Sequence, residues 1–385
     1  MKTQREKTGA APEQSNRIES RTFPHSSVRA LLPWLGGLGL LGLVAAILGV
    51  GINTNTCPSS GSVWIRFISS GLTLGFMYAM IALGYSMVYG ILQLLNFAHS
   101  EVFMVGSFAG LYTLTEAFDI NGHTYPNGVS GSLLVASIAA ALLVGAIASG
   151  LTAVAIERVA YRPLRRRGAS RLGYLITAIG MSLFLQNLFL LLDGQPHLGL
   201  PFNWPRIGGR NAVPYPDTLH LAPAFKIMGV PINNTQILVV VVAIMMLVVL
   251  DVIVVRTHTG QQIRAVAEDP QAASLLGVNI DRVIVITFFL GGVMAGIAGG
   301  LYGIYYGQAQ WNMGFVPGIK AFTAAVLGGI GNVRGAMLGG VLLGLIENLG
   351  VACTGVEWQG VIAFAILIFV LMFRPTGLLG ERVSH

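Results

Sequence analysis

The segment RTHTGQQIRAVAEDPQAASLLGVNIDR, residues 256 to 282, is the one long charged segment between two apolar stretches in the second half of the chain. Within it, Pro270 can occupy the first turn of a short helix, Gln271 to Leu276, and Gly277 would end that helix. The segment is therefore predicted to form a short amphipathic helix held between membrane helices. Such a shape is suited to binding a partner protein.

The residues in and beside this short helix support the prediction. Glu268 and Asp269 precede it and would favour its positive amino end through the helix dipole. One face of the helix carries Ala272, Leu275 and Leu276, which are small or apolar side chains that could sit in a groove of a partner. The alternative is a plain surface connector, which would have less regular helix signals.

The composition places the chain in a membrane. Of its 385 residues, 54% are hydrophobic and only 10% are charged, whereas soluble domains carry roughly 25% charged residues. The 50 glycines agree, because glycine lets transmembrane helices pack closely. The net charge of +7 lies in tails and loops, so it is better explained as a topology signal than as a nucleic-acid site. We expect an all-α polytopic membrane protein that contacts lipid and no nucleic acid.

The apolar stretches define the predicted spans, because a helix needs about 20 apolar residues to cross the hydrocarbon. Residues 1 to 30 are polar and are predicted to be a disordered cytoplasmic tail. The spans are Leu31–Ile52, Val63–Tyr89, Val102–Phe118, Ser132–Ile156, Gly173–Leu192, Gln236–Val255, Val283–Tyr306 and Trp358–Phe373. Between the last two, the Gly-rich region Ile319–Leu349 either crosses twice or re-enters. We predict about eight to ten transmembrane segments within residues 31 to 380.

The arginines set the orientation. Residues 158 to 171 hold six arginines and no acid, which is the strongest positive-inside signal in the chain. With both termini inside, residues 256 to 282 lie in the cytoplasm and the long loop 193 to 235 lies on the outer, periplasmic side. The same count places Cys57 and Cys353 on the outer face. There they are either two unrelated thiols or a disulfide.

Polar residues among the apolar stretches mark candidate positions along a transport pathway. The run QLLNFAHSE, residues 93 to 101, places Asn96 and His99 between two spans. Ionisable groups at membrane depth are costly, so this run either lines a pathway or forms a polar turn at the cytoplasmic surface. The Gly-rich break near Lys320 is a candidate counterpart, because paired interrupted helices mark translocation sites. Gln186 lies within a span and bonds either a polar substrate or a neighbouring helix.

Signatures of catalysis are absent from the sequence. It has no GxxxxGK[ST] phosphate-binding loop, no HExxH and no CxxC. We therefore predict no catalytic residue, no metal ligand and no cofactor in this chain. The same absence argues against ATP hydrolysis by the chain itself.

The charged segment resembles a known motif. The run QAASLLG has the spacing of the EAA-x-x-x-G coupling motif of ABC importer permeases, with Gln271 where the motif has Glu. Longer stretches resemble the LivH-type permeases of branched-chain amino acid ABC importers, and in one of them Ser100 stands where Gly is usual. These stretches are Ala82 to Gly106, Leu175 to Asn187, Arg264 to Arg282, Lys320 to Gly340 and Arg374 to Gly380.

The resemblance implies a permease of the ten-span, vitamin B12-importer-like (type II) kind in the bacterial cytoplasmic (inner) membrane. It implies a second, LivM-like permease subunit, two ABC ATPase subunits that bind the ATP, and a periplasmic solute-binding protein. Substrates of the family are mainly branched-chain and other neutral amino acids, and a related branch carries urea or short amides. The residues expected to dock the ATPases are Arg264, Asp269, Ala272, Ala273 and Gly277.

Other function classes stay open at the level of sequence. A passive channel for a small solute would need neither an ATPase nor a charged docking loop. A membrane-embedded enzyme would need a catalytic constellation, which the sequence lacks. The function that the sequence favours is ATP-driven import of branched-chain or neutral amino acids, with this chain as the permease subunit.

Overall fold

The computed structural model describes residues 57–58, 60–94, 96–120, 124–125, 128–191, 212–216, 223–374 and 376–380. The predicted tail, residues 1 to 30, and the first predicted span, Leu31–Ile52, lie outside the described residues. All described residues belong to one unit, residues 46–385.

The described part is built from helices, as the composition predicts. They are α1 Gly61–Leu92, α2 His99–Tyr112, α3 Gly131–Ile156, α4 Arg162–Arg166, α5 Arg171–Leu191, α6 Asn234–Arg256, α7 His258–Glu268, α8 Pro270–Leu275, α9 Ile280–Tyr306, α10 Phe315–Gly328, α11 Val333–Thr354 and α12 Gln359–Phe373. Two π-helical turns, Thr113–Ala117 and Glu157–Tyr161, continue α2 and α3, and a 3-10 turn, Val356–Trp358, precedes α12. Each predicted span after the first therefore appears as a helix.

Seven helices in the described part are long and apolar enough to cross a membrane: α1, α3 with α4, α5, α6, α9, α11, and α12 with its preceding turn. Their burial differs widely. In α1 and α9, 72% of the most apolar window is buried, whereas in α12 only 11% is. The centre of the bundle is therefore α1 and α9, and α12 lies at its edge.

Glycines bring the central helices into close contact. Gly71 and Gly75 of α1 face Gly344 of α11 so closely that a Cβ atom at Gly344 would overlap the backbone of Gly75. On α9, Gly296 packs in the same way against Gly145 of α3. Because helix association in lipid depends on close packing rather than on the hydrophobic effect, these small residues hold the bundle together.

A disulfide joins the segment that precedes α1 to the end of α11. It links Cys57 to Cys353, with the two Cα atoms 4.3 Å apart. Of the two alternatives that the sequence leaves open, the structure therefore has the bridge. Disulfides persist in oxidising compartments, so the bridge agrees with the predicted outer location of both cysteines.

Two helices start inside the bundle. His99, the first residue of α2, packs against Gly84 of α1, whereas Gly331 lies beside Gly90. Gly84 and Gly90 are about 9 Å apart along α1, so α2 starts well above the inner end of α1. The start of α10 meets it there, because Gly314 packs against Ser100 of α2.

The Gly-rich region after α9 is a helix, a break and a second helix. The 14 residues of α10 are about 21 Å long, short of the roughly 30 Å hydrocarbon core. Residues 329–332 form the break, and the carboxyl-terminal Leu378 and Leu379 donate backbone hydrogen bonds to the last carbonyls of α10. The break after α10 lies at the Gly90 end of α1, whereas α11 returns to the disulfide at the other end of α1. Of the two predicted alternatives, the region therefore crosses twice, with a short helix in the first crossing.

Four short strands lie in the connections that follow α5 and α9. Val213–Pro214 (β1) pairs antiparallel with Gln308–Ala309 (β4), and Pro223–Ile227 (β2) forms a hairpin with Val230–Asn233 (β3). Tyr215, next to β1, is buried and donates a 2.6 Å hydrogen bond to the Ser107 carbonyl of α2. Burial raises the pKa of Tyr215 well above its usual range, so the phenol stays a neutral donor. This contact attaches the outer loop to α2.

Candidate functional site

The predicted helix in the charged segment is present as α8. Asp269 is its N-cap, and Oδ1 accepts hydrogen bonds from the backbone N–H groups of Gln271 (2.8 Å) and Ala272 (3.1 Å). Pro270 occupies the first turn, where its missing N–H costs nothing. Gly277 follows the helix with φ of +83°, a conformation that favours glycine. The local sequence therefore determines both ends of α8, although the helix stops one residue before the predicted Leu276.

The tip of α8 is apolar and open. Leu275 is 90% exposed and Leu276 is 83% exposed. Ala272 and Gly277 are also exposed, whereas Ala273 is buried against the core of its own chain. Of the residues predicted to dock a partner, Ala273 thus anchors the helix, whereas Ala272 and Gly277 are exposed. Leu275 and Leu276 complete the exposed surface of the helix tip.

The other two predicted docking residues hold the loop in place. Asp269 caps α8, as described above. Arg264, on α7, donates from Nη1 to the backbone carbonyls of Val254 (2.7 Å) and Val255 (3.2 Å). A cation at the carboxyl end of a helix satisfies unpaired carbonyls and matches the helix dipole. Arg264 therefore ties α7 to the end of α6.

The arginine-rich segment binds the start of α9. Arg165 Nη2 lies 2.5 Å from Oδ1 of Asp281, and Arg162 and Arg166 lie 3.6 and 3.7 Å from Oδ2. The same Arg165 atom is 3.2 Å from Glu157, which is fully buried in the π-helical turn of α3. The sequence marks these arginines only as a topology signal. The acids that pair with them show why three of them are also structural.

Asn96 connects that π-helical turn to α2. The hydroxyl of Tyr161, in the turn, donates a 2.9 Å hydrogen bond to Oδ1 of Asn96, which also accepts the backbone N–H of Ala98 at 3.1 Å. Asn96 is only 3% exposed. Its run is therefore a buried helix start rather than a polar turn at the cytoplasmic surface.

His99 lies against the central helix α1. Its ring is 4.9 Å from that of Tyr85, and the imidazole fills the space left by Gly84. The side chain is buried, and Nε2 has no hydrogen-bond partner among the described residues. His99 is thus positioned by close packing against α1.

A buried carboxylate joins α2 to α5. Oε1 of Glu101, a fully buried residue, accepts hydrogen bonds from Gln186 Nε2 (2.8 Å), Ser182 (3.1 Å) and Ser100 (3.2 Å). Oε2 has no partner in the described part of the chain. We call these four residues the Glu101 cluster. Gln186, a predicted pathway residue, therefore makes a cross-helix hydrogen bond here.

A buried ion pair joins α10 to α11. Lys320 Nζ contacts Oε1 of Glu347, and the side chains are 8% and 0% exposed. Nζ also lies 5.8 Å from the ring centre of Tyr78, and Tyr302 stands close to the carboxylate. We call Lys320, Glu347 and these tyrosines the Lys320–Glu347 cluster. Sequence reasoning selects Lys320 and misses Glu347, although a lone acid within an apolar stretch is a usable signal.

The structure offers no metal centre within the described residues, where no group of three His, Cys, Asp or Glu side chains comes together. A groove of about 750 Å³ lies between α3, α6 and α9. Its walls are aliphatic, with Asn234 the one polar residue among its lining. A groove of this kind suits lipid tails rather than a polar substrate.

Comparison with known proteins finds similarity along most of the chain. The family model described as the branched-chain amino acid transport system / permease component matches residues 67–371. The high-affinity branched-chain amino acid transport system permease protein BraD of Pseudomonas aeruginosa is 41% identical over 320 residues, 83% of this chain and 96% of that protein. The corresponding permease protein LivH of Escherichia coli is 42% identical over 324 residues, with the same coverage.

A shorter part of the chain is also similar to a permease of another import system. The galactose/methyl galactoside import permease protein MglC of Escherichia coli is 33% identical over 124 residues, 30% of this chain and 37% of that protein. No solved structure matches the chain significantly.

Proposed function

The chain belongs to the permease family of branched-chain amino acid transport systems, and on that premise we propose that it is the permease subunit of an ATP-driven importer for branched-chain and other neutral amino acids. It is a multi-pass protein of the inner membrane. The observation that carries the proposal is α8, a capped helix that presents Leu275 and Leu276 almost fully exposed and that we place in the cytoplasm. Adjacent exposed leucines at a helix tip are typical of a binding surface.

The partners in this proposal are two ABC ATPases, a second permease subunit and an extracytoplasmic solute-binding protein. The ATPases bind and hydrolyse ATP, because this chain has no phosphate-binding loop of its own. In helix-in-groove recognition, an amphipathic helix lays its apolar face into a partner's groove. We assign that role to Ala272, Leu275 and Leu276, with Ala273 holding the helix to the membrane domain.

A continuous chain of polar contacts runs from the residues after α8 into the membrane domain, and it could transmit a movement of α8. Asp281, five residues beyond Leu276, is bound by Arg165, and Arg165 contacts Glu157 in the π-helical turn of α3. In that turn, Tyr161 donates to Asn96 at the start of α2. We propose that this route transmits the closing of the ATPases to the buried start of α2, since coupling requires physically connected elements with two arrangements.

The test uses the complete importer with its ATPases and binding protein. Leu275→Asp and Leu276→Asp place a charge on the docking surface, where it would meet an apolar groove, and we expect the ATPases to be lost on purification and leucine uptake to fall more than tenfold. Met228→Asp is the matched control. Met228 is 77% exposed at the turn of the outer β2–β3 hairpin, so the same change there should leave ATPase binding intact.

Two results would contradict the docking role. One is normal ATPase binding by both α8 variants. The other is equal loss of the ATPases in the Met228 control, which would indicate general damage from an added charge. Uptake of leucine that continues in the wild-type importer after ATP depletion would instead favour a passive channel.

A further inference from the structure

The Lys320–Glu347 cluster needs an explanation beyond stability. Both side chains are buried in membrane-spanning helices. Taking two charges out of water is costly, and apolar residues of similar volume stabilise a fold equally well or better. Ionisable residues at membrane depth are therefore functional candidates by default.

The cluster lies near the outer mouth of the bundle. Glu347 precedes the disulfide-bonded Cys353 by six residues, about 9 Å along α11. The neighbours of the carboxylate come from the outer helix ends, because Tyr306 is the last residue of α9 and Gln359 is the first residue of α12. The pair therefore faces the side on which an imported solute arrives.

Lys320 and Glu347 also have hydrogen-bonding groups that their mutual contact does not use. Oε2 of Glu347 is buried and has no hydrogen bond of good geometry among the described residues, although the side chains of Tyr78 and Gln359 lie close enough to the carboxylate to interact with it. The Lys320 ammonium has three N–H donors, and its one hydrogen bond within the described part goes to Glu347. The ring of Tyr78, 5.8 Å from Nζ, offers a face that also attracts a substrate ammonium.

We propose that the Lys320–Glu347 cluster is a transient binding site for a zwitterionic α-amino acid. The substrate carboxylate binds Lys320 and the substrate ammonium binds Glu347, so one ion pair is exchanged for two. The inference rests on the proposed function and adds the residues that would recognise the substrate's charged groups.

The exchange conserves charge at every stage. Without substrate, the lysine and the glutamate neutralise each other, and with substrate each has a partner of opposite charge. A ligand with only one charge would leave one of the two side chains unpaired in a low-dielectric site, which is strongly unfavourable. The cluster therefore selects zwitterions over singly charged analogues.

The first experiment removes both charges together. Lys320→Met with Glu347→Leu keeps the volume apolar and leaves no unpaired charge, so the protein should be as stable as wild type or more so. In proteoliposomes with the full importer, we expect L-leucine uptake to fall at least tenfold, while ATP hydrolysis is retained and the detergent Tm does not fall. Wild-type uptake by this double variant would overturn the proposal and leave the pair a structural device.

A matched double variant controls for the loss of an ion pair as such. Arg334 pairs with Asp251 at 2.9 Å between α11 and α6, with 68% and 30% of the two side chains exposed. Arg334→Gln with Asp251→Asn should leave uptake within about twofold of wild type, because exposed pairs contribute little. An equal fall in both double variants would count against a specific role for Lys320 and Glu347.

A second measurement needs no substitution. Photo-leucine, a zwitterion with a diazirine side chain, is cross-linked to the wild-type importer, and the labelled peptides are mapped by mass spectrometry. We expect label on the peptides that hold Tyr78, Tyr302, Lys320 or Glu347, removed by excess L-leucine but not by leucinamide or 4-methylpentanoate. Labelling elsewhere only, or equal competition by the singly charged analogues, would refute the site. Failure of wild-type leucine uptake would refute the proposed function instead.

Discussion

Glu101 and Glu347 are both fully buried carboxylates in the membrane domain, but their partners differ. Glu101 is held by neutral donors, the amide of Gln186 and the hydroxyls of Ser182 and Ser100. Glu347 is held by a cation, Lys320, with the neutral side chains of Tyr78 and Gln359 beside it. The second oxygen of each carboxylate has no hydrogen bond of good geometry among the described residues.

The difference separates two uses of a buried acid. Directional hydrogen bonds from Ser182 and Gln186 fix α5, of whose most apolar window only 28% is buried, to the central bundle. An ion pair is less directional, and a zwitterion can enter it without leaving a charge unpaired. The Glu101 cluster therefore connects helices, whereas the Lys320–Glu347 cluster is suited to exchange partners with a substrate.

The largest effect is expected from removing one charge of the ion pair. Lys320→Met leaves Glu347 buried and unpaired, so the free energy of unfolding should fall by about 3–5 kcal/mol. Reversible unfolding in mixed micelles measures it. Adding Glu347→Leu should restore the free energy of unfolding to the wild-type value or above it. A single variant as stable as wild type would show that water reaches the carboxylate.

A smaller effect for each interacting group is expected at Glu101. Glu101→Leu leaves the donors of Ser182 and Gln186 without an acceptor, which costs about 1–3 kcal/mol for each group that stays unsatisfied. Glu101→Gln retains an acceptor oxygen and should cost less. In the other cluster, Glu347→Gln should cost more than Glu101→Gln, because it strands Lys320. The reverse order, measured in the same micelles, would refute the distinction between the clusters.

The smallest effect on stability is expected from Tyr161→Phe. It removes one hydrogen bond of about 1 kcal/mol, and Asn96 keeps the Ala98 N–H. Leucine uptake per ATP hydrolysed should nevertheless fall, because the link to α2 is lost. Tyr174→Phe is the control, since it alters the ring stacked 6.1 Å from Tyr161. Unchanged coupling in Tyr161→Phe would remove this residue from the route.

Much of the architecture could be predicted from the residues alone. The apolar stretches locate the helices because crossing the hydrocarbon requires a run of about 20 apolar residues. The cap at Asp269, the first-turn Pro270 and the left-handed Gly277 define α8, because each acts on backbone groups within three residues of itself. Such local signals need no knowledge of the remaining chain.

The candidate site could be predicted only in part. Asn96, His99, Gln186 and Lys320 are recognisable as polar residues in apolar surroundings, and their role along a pathway stays a prediction. Their partners could not be predicted. Gln186 reaches Glu101 across 85 positions of sequence, and Tyr161 reaches Asn96 across 65. A hydropathy pattern contains no information about the rotation of one helix against another.

The sequence by itself thus determined the membrane class, the helices and the short helix α8, because hydrophobic length and helix caps act locally. Only the tertiary structure decided which side chains become partners. It placed Lys320 against Glu347 and Arg165 against Asp281, and it brought Cys57 to Cys353 across 296 positions of sequence. The physical reason is packing: glycine contacts such as Gly75 with Gly344 set how deeply and at what angle the helices approach. That approach selects the partner of every buried charge.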